Sequence, residues 1–261
     1  MQSSGYTLSL ASKPLLLAIV TFISICLLWE ALVVSYQVSA SVFPGPVVVF
    51  GSFFQLLADG SLLKHIVASL YRVTVGFYLA AVLGIPLGIF IGRSMMASNI
   101  LNPVIQFLRP ISPLAWIPLA MLWFGIGDKP AIFLIFLSCF FPLVVATTIA
   151  VGSINKVYFQ VAANFNFSRT DVLLKVIVPA IIPELVTALR LTVSIAWLVV
   201  VAAEMIAVQS GLGFLILDSR NALRMDNVMV GMIAIGIIGL MLDSVVKQLG
   251  KGDASVWKQI P

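Results

Sequence analysis

Six long apolar runs separated by short polar segments dominate the pattern of hydrophobic and polar positions. They cover about 14–36, 67–92, 97–125, 130–152, 178–208 and 227–247. Each is about as long as the roughly 20 residues that carry a helix across a bilayer. The pattern predicts six transmembrane helices. Around them stand a cytoplasmic segment 1–13, a membrane domain 14–250 and a cytoplasmic tail 251–261. The first run follows Lys13 and ends near Val38-Ser39-Ala40, which has the look of a signal-peptide cleavage site. Its apolar stretch exceeds the roughly 7–15 residues of a signal core, so it reads as a retained helix.

Composition agrees with that reading. The chain is 61% hydrophobic and 10% charged, against about 45–50% and 25% in soluble domains. Its net charge of +5 is spread along the sequence without a dense basic cluster, so nucleic-acid binding is excluded. Cys26 and Cys139 each lie inside an apolar run and read as small hydrophobes, not as a disulfide or metal framework. His65 stands alone and receives no role.

Charge asymmetry gives the orientation, because cytoplasmic loops carry the excess of Lys and Arg. With the N-terminus inside, eight basic residues fall inside: Lys13, Arg93, Lys156, Arg169, Lys175, Lys247, Lys251 and Lys258. Four fall outside: Lys64, Lys129, Arg220 and Arg224. Both termini and the polar loop 155–178 are then expected in the cytoplasm. Gly84, Gly88 and Gly92 form a doubled GxxxG in the second span, the spacing that lets helices approach closely.

The loop is polar where its surroundings are apolar. Tyr158, Val161, Ala162, Phe165 and Phe167 give it one apolar side, too short to cross a bilayer. Ser168 with Asp171 three positions on makes a cap of the Ser-x-x-Asp kind. Pro179 suits the first turn of the following helix. A short helix, a turn and a second helix are expected. From the residues alone, this is either a helix lying on the bilayer surface or a docking element for a soluble partner.

Charges within the spans need a partner or a wet cavity, since each costs at least about 2.5–3.5 kcal/mol at mid-bilayer. Arg109, Arg190 and Glu204 are candidates for a translocation pathway, and the two arginines would favour an anion. The alternative places Arg109 at the cytoplasmic end and pairs Arg190 with Glu184 or Glu204. Arg109 precedes Pro110, Pro113 and Pro118, so its helix is expected to break. Glu30, after Trp29, reads as a structural hydrogen bonder.

Residues 160–179 resemble the loop of permease subunits in binding-protein-dependent ABC importers that reads Glu-Ala-Ala, then Gly, then Leu-Pro. Gln160 stands for the Glu, Val161 and Ala162 for the alanines, Asn166 for the Gly, and Val178-Pro179 for the Leu-Pro. Ser168-Arg169 matches the frequent Ser-Arg of that pattern. Asn is the next-best residue for a left-handed turn. FPGP (43–46), PISPLAWIPLAMLWFGIGD (110–128), FPLVVATTIAVGS (141–153), PELVTALRLTVSIAWLVVVAAEMI (183–206) and SGLGFLILDSRN (210–221) are similar to the nitrate, sulfonate, taurine and bicarbonate branch.

The resemblance implies an all-α membrane protein: the six-helix permease bundle of a type I importer with a MetI-like core and a cytoplasmic coupling helix. Tyr158, Gln160, Val161, Ala162, Ala163, Asn166, Ser168, Arg169 and Asp171 would then couple to the ATPase. Asp128, Lys129, Arg220 and Arg224 would meet an extracytoplasmic substrate-binding protein. Gly211-Leu212-Gly213 looks like the family's re-entrant loop. Two ATPase subunits, a second permease copy and a small anion (taurine or alkanesulfonate, nitrate or bicarbonate) are the implied partners, in the inner (plasma) membrane. The chain carries no Gly-x-x-x-x-Gly-Lys-Ser/Thr phosphate loop. ATP and Mg would be bound by the partner subunits, with no cofactor and no catalytic residue in this chain. The rival readings are an ion-gradient-driven secondary transporter without an ATPase, for which no self-similar halves are visible, and a non-transporting scaffold.

Overall fold

The structure, a computed structural model, describes residues 12–257. Residues 1–11 and 258–261, which hold most of the expected N-terminal segment and Lys258, lie outside them. Among the described residues the regular structure is helical throughout. The helices are α1 (Ser12–Ser35), α2 (Pro46–Ala58), α3 (Ser61–Arg93) and α4 (Met95–Leu108). A 3-10 turn (Pro113–Trp116) then leads into α5 (Ile117–Phe124) and α6 (Asp128–Gly152). Next come α7 (Lys156–Asn164), the single turn α8 (Arg169–Asp171), a π-helical stretch (Val172–Ile177) and α9 (Val178–Ala207). Finally α10 (Leu212–Asn221) and α11 (Met225–Trp257) complete the chain.

By length and composition, four helices can cross a membrane: α3, α6, Arg169–Ala207 and Met225–Lys247. Residues expected as one span over 97–125 instead form a bent pair, α4 and Pro113–Phe124, with 86° between them. Two prolines cause the break. Pro110 lacks the N–H that would continue α4, and Pro113 holds the preceding Ser112 extended at ψ 131°, while Pro118 starts α5 at a position where its missing N–H costs nothing. The helices α2 and α10 are short additions that six-span counting does not anticipate.

The centre of the bundle is the seam between α3 and α6. Gly76, Gly84, Gly88 and Gly92 line one stripe of α3. A Cβ on Gly76 would meet Ile135 at 2.7 Å, one on Gly88 would meet Thr147 at 2.6 Å, and one on Gly92 would meet Val151 at 2.7 Å. The glycines thus let the two backbones approach. Thr148 Oγ1 uses that closeness to donate to the Gly88 carbonyl at 3.2 Å. The other side of α6 packs on α9, burying Leu134 and Cys139 completely. Trp197 of α9 donates its indole N–H to the Ile235 carbonyl of α11 at 3.1 Å, which ties the last helix to the core.

Helix α1 joins this core through α2. The Glu30 carboxylate lies at the start of α2, where Val47 N–H donates to it at 3.5 Å. An acidic group at the positive end of a helix dipole is favourable. Trp29 stacks at a tilt on Phe43, with ring centroids 5.6 Å apart. Many large apolar side chains stay exposed on the outer faces, among them Leu79, Phe90, Leu122, Leu191, Leu198 and Leu240. Such faces suit a hydrocarbon solvent, in which helix contacts rest on packing and hydrogen bonds.

Candidate functional site

At one end of the bundle, α6 hands over to the expected docking loop. Asn155 caps α7 by accepting from Val157 N–H at 3.0 Å. The helix stops after nine residues because Asn166 takes a left-handed φ of 49°. Phe167 N–H then returns to the Ala162 carbonyl at 2.9 Å, which satisfies the helix end. Ser168 and Asp171 form a reciprocal capping box: Asp171 N–H donates to Ser168 Oγ at 3.1 Å, and Ser168 N–H donates to Asp171 Oδ2 at 3.3 Å. Lys175 closes the turn with an ion pair to Asp171 at 2.6 Å and lies 5.3 Å from the Phe167 ring centre. Short helix, left-handed turn and capped second helix thus follow the sequence pattern.

Two faces of α7 differ. Ala162 is 2% exposed and Phe159 is half-buried beneath Arg93, whose guanidinium sits 5.9 Å from the Phe159 ring centre. Those residues hold the loop to its own bundle. Tyr158, Val161 and Phe165 are 61%, 46% and 72% exposed and form the apolar face open to a partner. Ala162 thus supports the loop from within, and its neighbours Tyr158 and Val161 offer the contact surface. Gln160, Ala163, Asn166, Ser168 and Arg169 rim that surface, all exposed.

The three expected pathway residues lie in three different places. Arg109 caps the C-terminal end of α4 at the 86° bend and is exposed. It borders a cavity of about 630 Å³ with Asn102, Gln106, Val144, Val145 and Thr148. Among the described residues no acceptor reaches its guanidinium. Arg190 does not reach Glu184 or Glu204. It donates to the Val246 and Lys247 carbonyls at 3.1 and 2.8 Å and so braces α9 against α11. Glu184 borders a separate cleft behind α7, beside Tyr158 and Lys175.

Glu204 is fully buried and belongs to a network that the sequence reading did not find. Its centre is Arg72 of α3, only 2% exposed. Four of its N–H donors are hydrogen-bonded, and Nη2 also ion-pairs with Asp128. Nε and Nη2 reach Asp128 Oδ1 at 2.8 and 2.7 Å. Nη1 reaches Glu204 Oε1 at 2.6 Å and the Ser210 carbonyl at 2.8 Å, and Nη2 reaches Ser210 Oγ at 2.5 Å. The second Glu204 oxygen accepts from Ser69 Oγ at 2.9 Å and from Gly213 N–H at 3.0 Å. Ser69 also accepts from Leu212 N–H at 2.9 Å, and His65 Nδ1 accepts from Gly211 N–H at 3.0 Å. One face of α3 thereby holds the whole glycine segment before α10. Gly211 must be glycine here: its φ is 104°, and a Cβ would meet the Glu204 carboxylate at 2.3 Å.

Of the expected docking residues, Asp128 is spoken for by Arg72, although its side chain is 53% exposed. Lys129, Arg220 and Arg224 are exposed. Arg224 lies 3.6 Å from Asp226, whose carboxylate accepts from Ser52 Oγ at 2.6 Å and so anchors α2 on α11.

Comparison with known proteins adds to this geometry. A family model described as the binding-protein-dependent transport system inner membrane component matches residues 84–251. A putative ABC transporter permease protein of Methanocaldococcus jannaschii is 37% identical over 92% of this chain and 91% of its own length. The nitrate import permease protein NrtB of Leptolyngbya laminosa is 39% identical over 72% of this chain and 67% of its own. The taurine transport system permease protein TauC of Escherichia coli is 34% identical over 89% and 86%. A chain from an inward-facing structure of the MetNI methionine ABC transporter shares the fold, with a TM-score of 0.58 at 16% identity, over 72% of this chain and 95% of that one.

Proposed function

The chain belongs to the inner-membrane-component family of binding-protein-dependent transport systems, the ABC importer permeases, and on that premise we propose that it conducts a small oxyanion, of the sulfonate or nitrate kind, into the cytoplasm. Membership sets aside the gradient-driven secondary transporter. The observation that carries the reading is the exposed apolar face of α7 on a loop stiffened by caps at both helix starts. A lever must be rigid and must present a surface to its driver. Tyr158, Val161 and Phe165 supply the surface. Asn155, Asn166 and the Ser168–Asp171 box supply the rigidity.

In this reading two ATPase subunits seat the α7 loops of two permease copies, and closure of the ATPase pair reorients the bundle. The α7 end faces the cytoplasm, as the basic residues Arg93, Lys156, Arg169 and Lys175 around it suggest. The opposite end, with Asp128, Lys129, Arg220 and Arg224, meets the substrate-binding protein. Charged pairs there would set orientation and association rate more than affinity. Arg109 offers unpaired donors in the cavity at the bend and suits a ligand that only accepts hydrogen bonds, as a sulfonate or nitrate does. The relatives' names for nitrate and taurine support that ligand class.

The test is a Val161→Glu variant co-expressed with its ATPase subunits. A charge on the exposed face should release the ATPase during size-exclusion chromatography while the permease stays monodisperse. A Val161→Glu complex that keeps its ATPase and transports normally would overturn the coupling role of α7.

A further inference from the structure

The Arg72 network joins three separate parts of the chain. Asp128 opens α6 directly after the hinge that ends the broken span. Glu204 sits near the end of α9. Ser210 lies in the glycine segment that leads into α10. The hinge holds two glycines in backbone geometry that L side chains rarely adopt: Gly125 and Gly127 have φ of 75° and 139°, and a Cβ on either would meet nothing within 4 Å. Gly127 N–H also holds the Ala207 carbonyl at 3.0 Å, so the hinge and the end of α9 are joined twice.

The two carboxylates on Arg72 are not equivalent. Glu204 is sealed, with its oxygens held by Arg72, Ser69 and the Gly213 N–H. Breaking that arm would strand a charge inside the bundle, which is strongly destabilising. Asp128 is 53% exposed, so its free side is open to solvent. Its arm is therefore the one that opens cheaply, because the released carboxylate stays hydrated. Arg72 would keep Glu204 and Ser210 when Asp128 leaves.

We propose that Asp128 is the releasable arm of an outer latch: Arg72 holds it while the outer ends of α3, α6 and α9 are closed, and a cationic side chain of the docking partner takes it over when they open. The inference rests on the importer reading above and adds a named switch to it. A basic group is the chemistry that competes with a guanidinium for a half-exposed carboxylate. Arg72 acts as the positioning residue, because its fixed hold on Glu204 and Ser210 sets where the glycine segment lies.

The experiment uses the complete complex, permease with ATPase subunits and binding protein, in proteoliposomes. Wild type is expected to show low basal ATPase activity that rises with liganded binding protein. Asp128→Asn removes the ion pair but keeps the side-chain volume. It should raise basal ATPase about two- to fivefold, the population shift expected from losing one half-exposed pair. It should also shrink the stimulation by binding protein. Asp128→Glu, which keeps the charge, should restore low basal activity, a rescue that a purely packing role would not produce. Basal activity and stimulation equal to wild type in Asp128→Asn would overturn the latch, and so would an Asp128→Asn chain that fails to assemble. If wild type itself shows no response to binding protein, the importer reading fails instead, and the latch falls with it.

Discussion

Replacing Gly88 by alanine tests whether the α3–α6 seam is as close as the structure places it. The new methyl carbon would sit 2.6 Å from Thr147 Cβ and 2.8 Å from the Val144 carbonyl oxygen. Ordinary contact between such atoms begins near about 3.5 Å. The clash is with backbone on the α6 side, so no rotamer change relieves it and the helices must part by roughly 1 Å. Overpacking of this kind costs about 1–3 kcal/mol. Separation also weakens the Thr148–Gly88 hydrogen bond, and such bonds between membrane helices average about 0.6 kcal/mol. The alanine returns about 0.5–1 kcal/mol of helix propensity. The net expectation is a loss of about 1–2.5 kcal/mol.

Gly84→Ala is the internal comparison. Its Cβ would lie 3.4 Å from the Phe140 carbonyl, ordinary contact, so the propensity gain should leave it neutral or slightly stabilised. The assay is thermal unfolding of a fluorescently tagged permease in detergent, read by size-exclusion chromatography. Gly88→Ala should melt several degrees below wild type, at about 2–4 °C per kcal/mol for a chain of this size. Equal melting temperatures for Gly88→Ala and Gly84→Ala would refute the argument that glycine is required at that level for close packing.

Two further outcomes are expected. Asn166→Val forces a β-branched residue into a left-handed φ of 49° and should cost about 1–2 kcal/mol, loosening the loop and weakening ATPase association, whereas Asn166→Gly should be tolerated; co-purification of the ATPase with both variants checks this. Arg109→Ala should lower oxyanion uptake about tenfold, a barrier change of about 1.4 kcal/mol, with ATPase association intact, and Arg109→Lys should retain more of the rate; uptake unchanged by Arg109→Ala would remove Arg109 from the pathway.

Features that depend on neighbours within a few residues could be read directly from the sequence. The capping box at Ser168 needs only Asp171 three positions on, and the left-handed turn needs only an Asn where helix must stop. The α3 glycine stripe repeats every four residues and was visible before its partner was known. Arg72 was hidden for the opposite reason. Its partners Asp128, Glu204 and Ser210 lie 56, 132 and 138 residues away, and nothing local marks them. One signal was present: an arginine inside an apolar span is a functional candidate by default, and Ser69 lies three residues before it on the same helix face. Arg190 and Glu204 share one helix but lie about 21 Å apart along it, so the alternative of pairing them fails on helix geometry; α11 carbonyls satisfy the arginine and α3 supplies the partner of the glutamate. The break at Pro110 and Pro113 was legible as a break, but its 86° angle depends on how α4 packs on α3 and α5 on α6.

The π-helical stretch at Val172–Ile177 has a geometric consequence for the lever. A π-turn holds one residue more than an α-turn, and each residue of an α-helix turns the chain by about 100°. Everything upstream of Val172 is therefore out of phase with α9 by about that angle. Trimming one residue from the stretch would let it anneal into continuous α-helix, and the exposed Tyr158–Val161 face would swing about a quarter of a turn around the α9 axis. The aim of α7 is thus fixed by chain length in this segment, so a one-residue deletion would matter there more than most substitutions.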